Sequence, residues 1–161
     1  MGNKNVLPVL FVFGFAGLLC FLSCKKSSSA NPSTASMTFN DSAVKLTGKV
    51  ATLDDSVLLF GAASAGGGYG LTLALHEPFT LDVPLDMDSA GDKIIVTNPG
   101  GHSLLMAGRD GGTGHGKVTI TSWDSTGHRL AGTFCATVVG AVGDSASVSN
   151  GQFDINYTVV R

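Results

Sequence analysis

The sequence predicts an all-β domain, an antiparallel β-sandwich or small β-barrel of about 9–10 strands, behind an N-terminal signal segment. Three observations carry that reading. Apolar and polar residues alternate with period two along several segments, as in strands with one face in a core and one in water. Glycine-, asparagine- and aspartate-rich turns separate those segments at short intervals. After residue 23 no window carries a helical period.

Taken in order, residues 43–52 and 57–63 are strand candidates. "YGLTLALH" sets Leu71, Leu73 and Leu75 on one face. "FTLDVPL" does the same with Phe79, Leu81, Val83 and Leu85, and 93–97 and 103–107 follow. "KVTITSW" contributes Val118 and Ile120, and "GTFCATV" contributes Phe134, Ala136 and Val138. The clearest alternation is "QFDINYTVV", with Phe153, Ile155, Tyr157 and Val159 inward and Asp154, Asn156 and Thr158 outward.

The N-terminus has a different character. Lys4 precedes an apolar run from Val6 to Leu22, the parts of a secretory signal. Leu22-Ser23-Cys24 resembles a bacterial lipobox, with Phe21 where such boxes usually have leucine. The expected division is a signal peptide over 1–23, a lipidated Cys24 with a flexible Ser-rich tether over 24–36, and a single β domain over 37–161. Thioether formation needs a thiolate, which is why the acceptor is a cysteine. Cys20 then leaves with the signal and Cys135 is the one free thiol, so no disulfide framework is expected. The myristoylation start fails because Val6 stands where Ser or Thr belongs.

From residue 37 onward seven Lys and Arg face all twelve acids, a net charge of −5 without a basic stripe. Nucleic acid is therefore not an expected partner. The membrane is, through a lipid anchor at Cys24; a protein or glycan partner stays unspecified, and the domain is expected to be a monomer.

The late pattern Gly116 to Thr121, Gly132 to Phe134 and Asn150 to Phe153 resembles that of an uncharacterised family of small Bacteroidota lipoproteins. The resemblance implies a lipobox, a polar tether and a C-terminal all-β domain at the bacterial envelope, in the outer membrane. It implies no reaction.

Several stretches imitate known sites. "GGTGHGK", Gly111 to Lys117, has phosphate-loop spacing, but Val118 replaces the required Ser or Thr and a strand follows. Asp86, Asp88 and Gly91 fit the start of a calcium loop, and Asp82 and Asp92 stand near enough to add oxygens. Ala90 and Thr97 break that loop, so these four aspartates are only weak metal candidates, beside the expectation of no metal and no cofactor. His76, His102, His115 and His128 form no close pair at metal-ligand spacing. "GDSAS", 143–147, lacks the strand–elbow–helix context of a nucleophilic serine. Cys135 has no basic sequence neighbour and reads as a structural thiol, and Trp123 as a core lid rather than a sugar platform.

The expected function is a membrane-anchored envelope lipoprotein with a β-sandwich binding or structural module, with no catalytic residue recognised. One alternative is a small barrel carrying a hydrophobic ligand, which needs an interior larger than its own side chains fill. The other is an envelope glycan-acting enzyme, which needs facing carboxylates; Glu77 is the single glutamate.

Overall fold

The computed structural model describes residues 33–87, 91–97, 104–108 and 114–160. The signal segment and Cys24 lie outside them, as do His102 and Asp88. The strands are β1 (Thr34–Phe39), β2 (Ser42–Asp54), β3 (Val57–Ser64), β4 (Gly70–His76), β5 (Pro84–Asp86), β6 (Lys93–Thr97), β7 (Leu104–Ala107), β8 (His115–Asp124), β9 (Arg129–Gly140), β10 (Ser145–Asn156) and β11 (Thr158–Val160).

Eight of them close an antiparallel barrel in the order β1, β2, β3, β4, β6, β7, β9, β10, with β10 returning to β1. Of the two predicted architectures the barrel is therefore the one formed. The closure between β7 and β9 is short, pairing Leu105 with Gly140 and Met106 with Val139. The rest of that edge of β9 is taken by β8, which carries β5 on its far side. Gly114 stands in the fork: a Cβ there would come within 2.2 Å of the Met106 carbonyl oxygen.

Tight hairpins hold the first strands in register. Asn40 and Asp41 (φ 43° and 65°) join β1 to β2, and Asp55 and Ser56 (φ 42° and 71°) join β2 to β3. Both central residues have positive φ, as the mirror-image turns that match strand twist require.

The inward faces follow the predicted phases. Leu71, Leu73, Leu75, Val118, Ile120, Phe134, Ala136, Val138, Phe153, Ile155 and Tyr157 are all buried. Leu58, Phe60, Leu73, Leu75, Ile94 and Val96 are wholly enclosed, with no water-sized space against them. An eight-stranded barrel is just wide enough for side chains to fill, and this one is filled in that way.

Three details depart from the sequence reading. Residues 34–36, read as the end of the tether, are the first half of β1. Of "FTLDVPL" only Pro84 and Leu85 lie in a strand, β5. Phe79 is buried, but Leu81 and Val83 stay 47% and 48% exposed, because Asp82 turns through φ 58° and breaks the alternation. Val159 is also exposed: the chain leaves β10 at Tyr157, and β11 pairs parallel with β2 instead of continuing into the core.

Candidate functional site

The barrel wall has two unlike outer faces. On β8, β9, β10, β1 and the first half of β2 the outward residues are hydroxyls and amides interspersed with Lys45, Lys117, His115 and Cys135. One register row runs Thr119, Thr133, Gln152, Ser36, Lys45. A neighbouring row runs Asp86, Lys117, Cys135, and the next His115, Thr137, Ser147. Threonine and serine suit a strand's solvent face, where their hydroxyls both donate and accept.

Open grooves follow this wall. One, of about 820 Å³, lies over β8, β9 and β10 and is bounded by Asp86, His115, Lys117, Cys135, Ser147 and Ser149. A smaller one of about 370 Å³ continues past Thr119 and Thr133 to Gln152. Another of about 820 Å³ spans β10, β1 and β2. The β-bulge between Val148 and Gly151, with Asn150 at φ 50°, bends β10 within this stretch.

Charge on the wall is sparse and largely paired. Lys117 Nζ stands 3.4 Å from Asp86 Oδ1, both well exposed. At its far side Arg129 Nε donates to Asp154 Oδ1 at 2.7 Å, with a second bond from the guanidinium to Oδ2. That hydrogen bonding holds the Asp154 carboxyl below the usual carboxylate range and raises Arg129.

Cys135 is exposed at the centre of the wall. The basic neighbour missing from its sequence surroundings is supplied across the sheet, because Lys117 is its register partner on β8. Only the pairing of β8 with β9 reveals this, since the two residues are far apart in the chain.

Among the described residues the aspartates of the acidic turn do not gather. Asp86 turns to Lys117, and the Asp82 N–H donates to the Ile120 carbonyl. Asp92 is buried, and its Oδ1 accepts both the His76 backbone N–H at 2.8 Å and the His76 ring Nδ1–H at 2.9 Å. One carboxylate thereby clasps both ends of the long β4–β6 connection. Among the described residues no three His, Cys, Asp or Glu side chains come together at a metal-binding distance.

The remaining motif residues go elsewhere. His115 to Lys117 begin β8, a strand rather than the helix a phosphate loop needs. Gly143 turns at φ 84°, and Ser145 to Ser147 start β10. His128 packs edge-on against Tyr157. Trp123 packs on Phe79, and its Nε1–H donates to Tyr157 Oη at 3.2 Å, so its ring lids the core.

Neither a protein-family model, nor a curated protein, nor a solved structure matches the chain.

Proposed function

We propose that this protein is an envelope lipoprotein, anchored in the outer membrane through Cys24, whose barrel is a non-enzymatic binding module for a polar partner, glycan or protein. The likeness of its C-terminal strands to small Bacteroidota lipoproteins supports the address. The observation that carries the binding role is the contrast between a barrel interior filled by its own side chains and a grooved, hydroxyl-lined outer wall. Neutral hydroxyls and amides satisfy a polar ligand's hydrogen bonds without the desolvation cost of burying charge.

A photo-crosslinking residue placed at Thr133, and separately at Leu59 on the opposite wall, tests this in cells. The reading expects a discrete adduct from position 133 and none from 59; adducts from neither, or equally from both, overturn it. Metabolic labelling with an alkyne fatty acid tests the anchor. Label should enter the wild type and be absent from Cys24→Ala.

The carrier reading keeps one observation in its favour, the closed eight-strand barrel itself. Stoichiometric uptake of a fluorescent hydrophobe by the folded domain would select it, with side chains such as Phe60 moving aside.

A further inference from the structure

The groove over β10, β1 and β2 differs from its neighbours in charge. Two lysines line it, Lys45 and Lys49, and no acid does. The polar side chains around them are the hydroxyls of Ser36, Thr38 and Thr47 and the amides of Asn150 and Gln152. Lys45 is exposed and stands opposite Ser36 in the β1–β2 ladder. A bulge at Thr47 puts Lys49 on the inward register of β2, opposite Ala62 and beyond the Ala35–Leu46 pair of the β1–β2 ladder. Its Nζ turns back and donates to the Thr47 carbonyl at 3.2 Å, which keeps the ammonium beside a residue of this groove. Lys117 is bridged to Asp86 and Arg129 to Asp154, and Lys93 is engaged as well. Neither Lys45 nor Lys49 has a carboxylate partner among the described residues. Asp154, opposite Thr34 in the ladder, is already taken by Arg129. The opposite outer wall has another character, with Val50 70% and Leu59 46% exposed.

We propose that this groove binds an acidic glycan, a sugar chain that carries carboxylates or sulfates; the proposal rests on the reading of the polar wall as a binding surface and names its ligand class. Ammonium groups without a carboxylate of their own give an anion charge-assisted hydrogen bonds. The hydroxyls and amides around them both donate to and accept from sugar hydroxyls. No aromatic side chain lines the groove, so a neutral sugar finds no stacking platform and the bases of a nucleic acid find none either. A protein partner needs a large apolar or aromatic anchor. The exposed apolar side chain in this lining is Ala43, which is too small for one. Lys45 and Lys49 are four residues apart on β2, at most about 13 Å between Cα atoms, so an extended chain lying along the strand meets both.

The experiment titrates the full-length protein in detergent micelles against two matched pairs of polymers, polygalacturonate with its methyl ester and dextran sulfate with dextran. At least one acidic member should bind several-fold more tightly than its neutral counterpart. The double variant Lys45→Ala/Lys49→Ala should abolish that preference, and Lys45→Arg/Lys49→Arg should keep it. Lys45→Glu, at an exposed position that the core does not need, should weaken it alone, which covers the case in which the double variant does not fold. Equal binding of charged and neutral members overturns the acidic assignment and leaves the binding wall in place. Polyglutamate bound as tightly as the acidic glycans assigns the groove to an acidic peptide and overturns the proposal. An acidic preference that ignores Lys45→Glu and the double alanine variant also overturns it. So does binding of none of the polymers; a Thr133 adduct in cells then shows the wall reading intact, and its absence removes both.

Discussion

The ring of Phe134 lies across Gly151, and that of Phe153 across Gly132, each over its own register partner on the neighbouring strand. A Cβ on Gly151 would come within 2.6 Å of the Phe134 ring, and one on Gly132 within 2.6 Å of Phe153 Cζ. The two rings then face each other with centroids 6.3 Å apart and planes 33° apart. The "GTF" and "NGQF" segments are thus the two halves of one reciprocal packing unit at the β9–β10 pairing.

Gly151→Ala should accordingly cost about 1–3 kcal/mol, the range for forcing extra volume into a packed core. Its backbone is ordinary strand, so the loss comes from the ring and not from φ. Urea denaturation measures it. A Phe134→Leu background should recover part of the loss, because the smaller side chain vacates the space over position 151.

This pair also marks what sequence reading reaches. Alternation identified the inward faces of β4, β8, β9 and the last part of β10, from Gln152 on, because a core on one side imposes period two on the chain. It missed β1, whose Thr34, Ser36 and Thr38 blend into a serine-rich tether, and whose burial of Ala35, Met37 and Phe39 depends on distant partners. Barrel closure was equally hidden: β1 with β10 and β7 with β9 are long-range pairings that no local pattern encodes. The polar wall fared the same way. Lys117 meets Cys135 only through strand register, so the chain alone showed an isolated thiol.

The phase of β10 has a sharp test. Ile155 is 1% exposed, whereas its neighbour Asn156 faces solvent. Ile155→Asp places an unpaired carboxylate in the core and should cost several kcal/mol, a large part of a typical domain's stability. Asn156→Ala should change stability by about 0.5 kcal/mol or less. Thermal melts of the two variants decide it; equal damage would mean that both faces of β10 are enclosed.

Arg129 and Asp154 make a pH prediction with a defined sign. The Arg129 hydrogen bonds hold the folded Asp154 carboxyl below its unfolded value, so the pair's contribution is fully present above about pH 4. It fades as pH falls through that value towards the folded one. The Tm of the wild type should therefore exceed that of Arg129→Gln at pH 7, and the gap should shrink by pH 3. Partial exposure of both groups keeps the effect small. A gap that is constant from pH 7 to 3 would show that Arg129 acts through packing alone.

The place where the folded domain begins carries the largest expected effect. β1 is a wall strand of the barrel, paired on one edge with β2 and on the other with β10. Its loss strips partners from both neighbours and uncovers the apolar residues that Ala35, Met37 and Phe39 pack against. A chain beginning at Ser33 keeps the strand and should melt cooperatively. A chain beginning at Asn40 leaves two open strand edges beside an exposed core, the condition under which sheets pair with other chains. It should aggregate or lose its cooperative melt. A chain beginning at Met37 keeps Phe39 but loses the pairing of Ala35 with Leu46 and Phe153, and should fall between the two. Far-UV circular dichroism, thermal melts and size-exclusion chromatography of the three lengths rank them. Equal stability of the Asn40 and Ser33 chains would show that the barrel closes without β1.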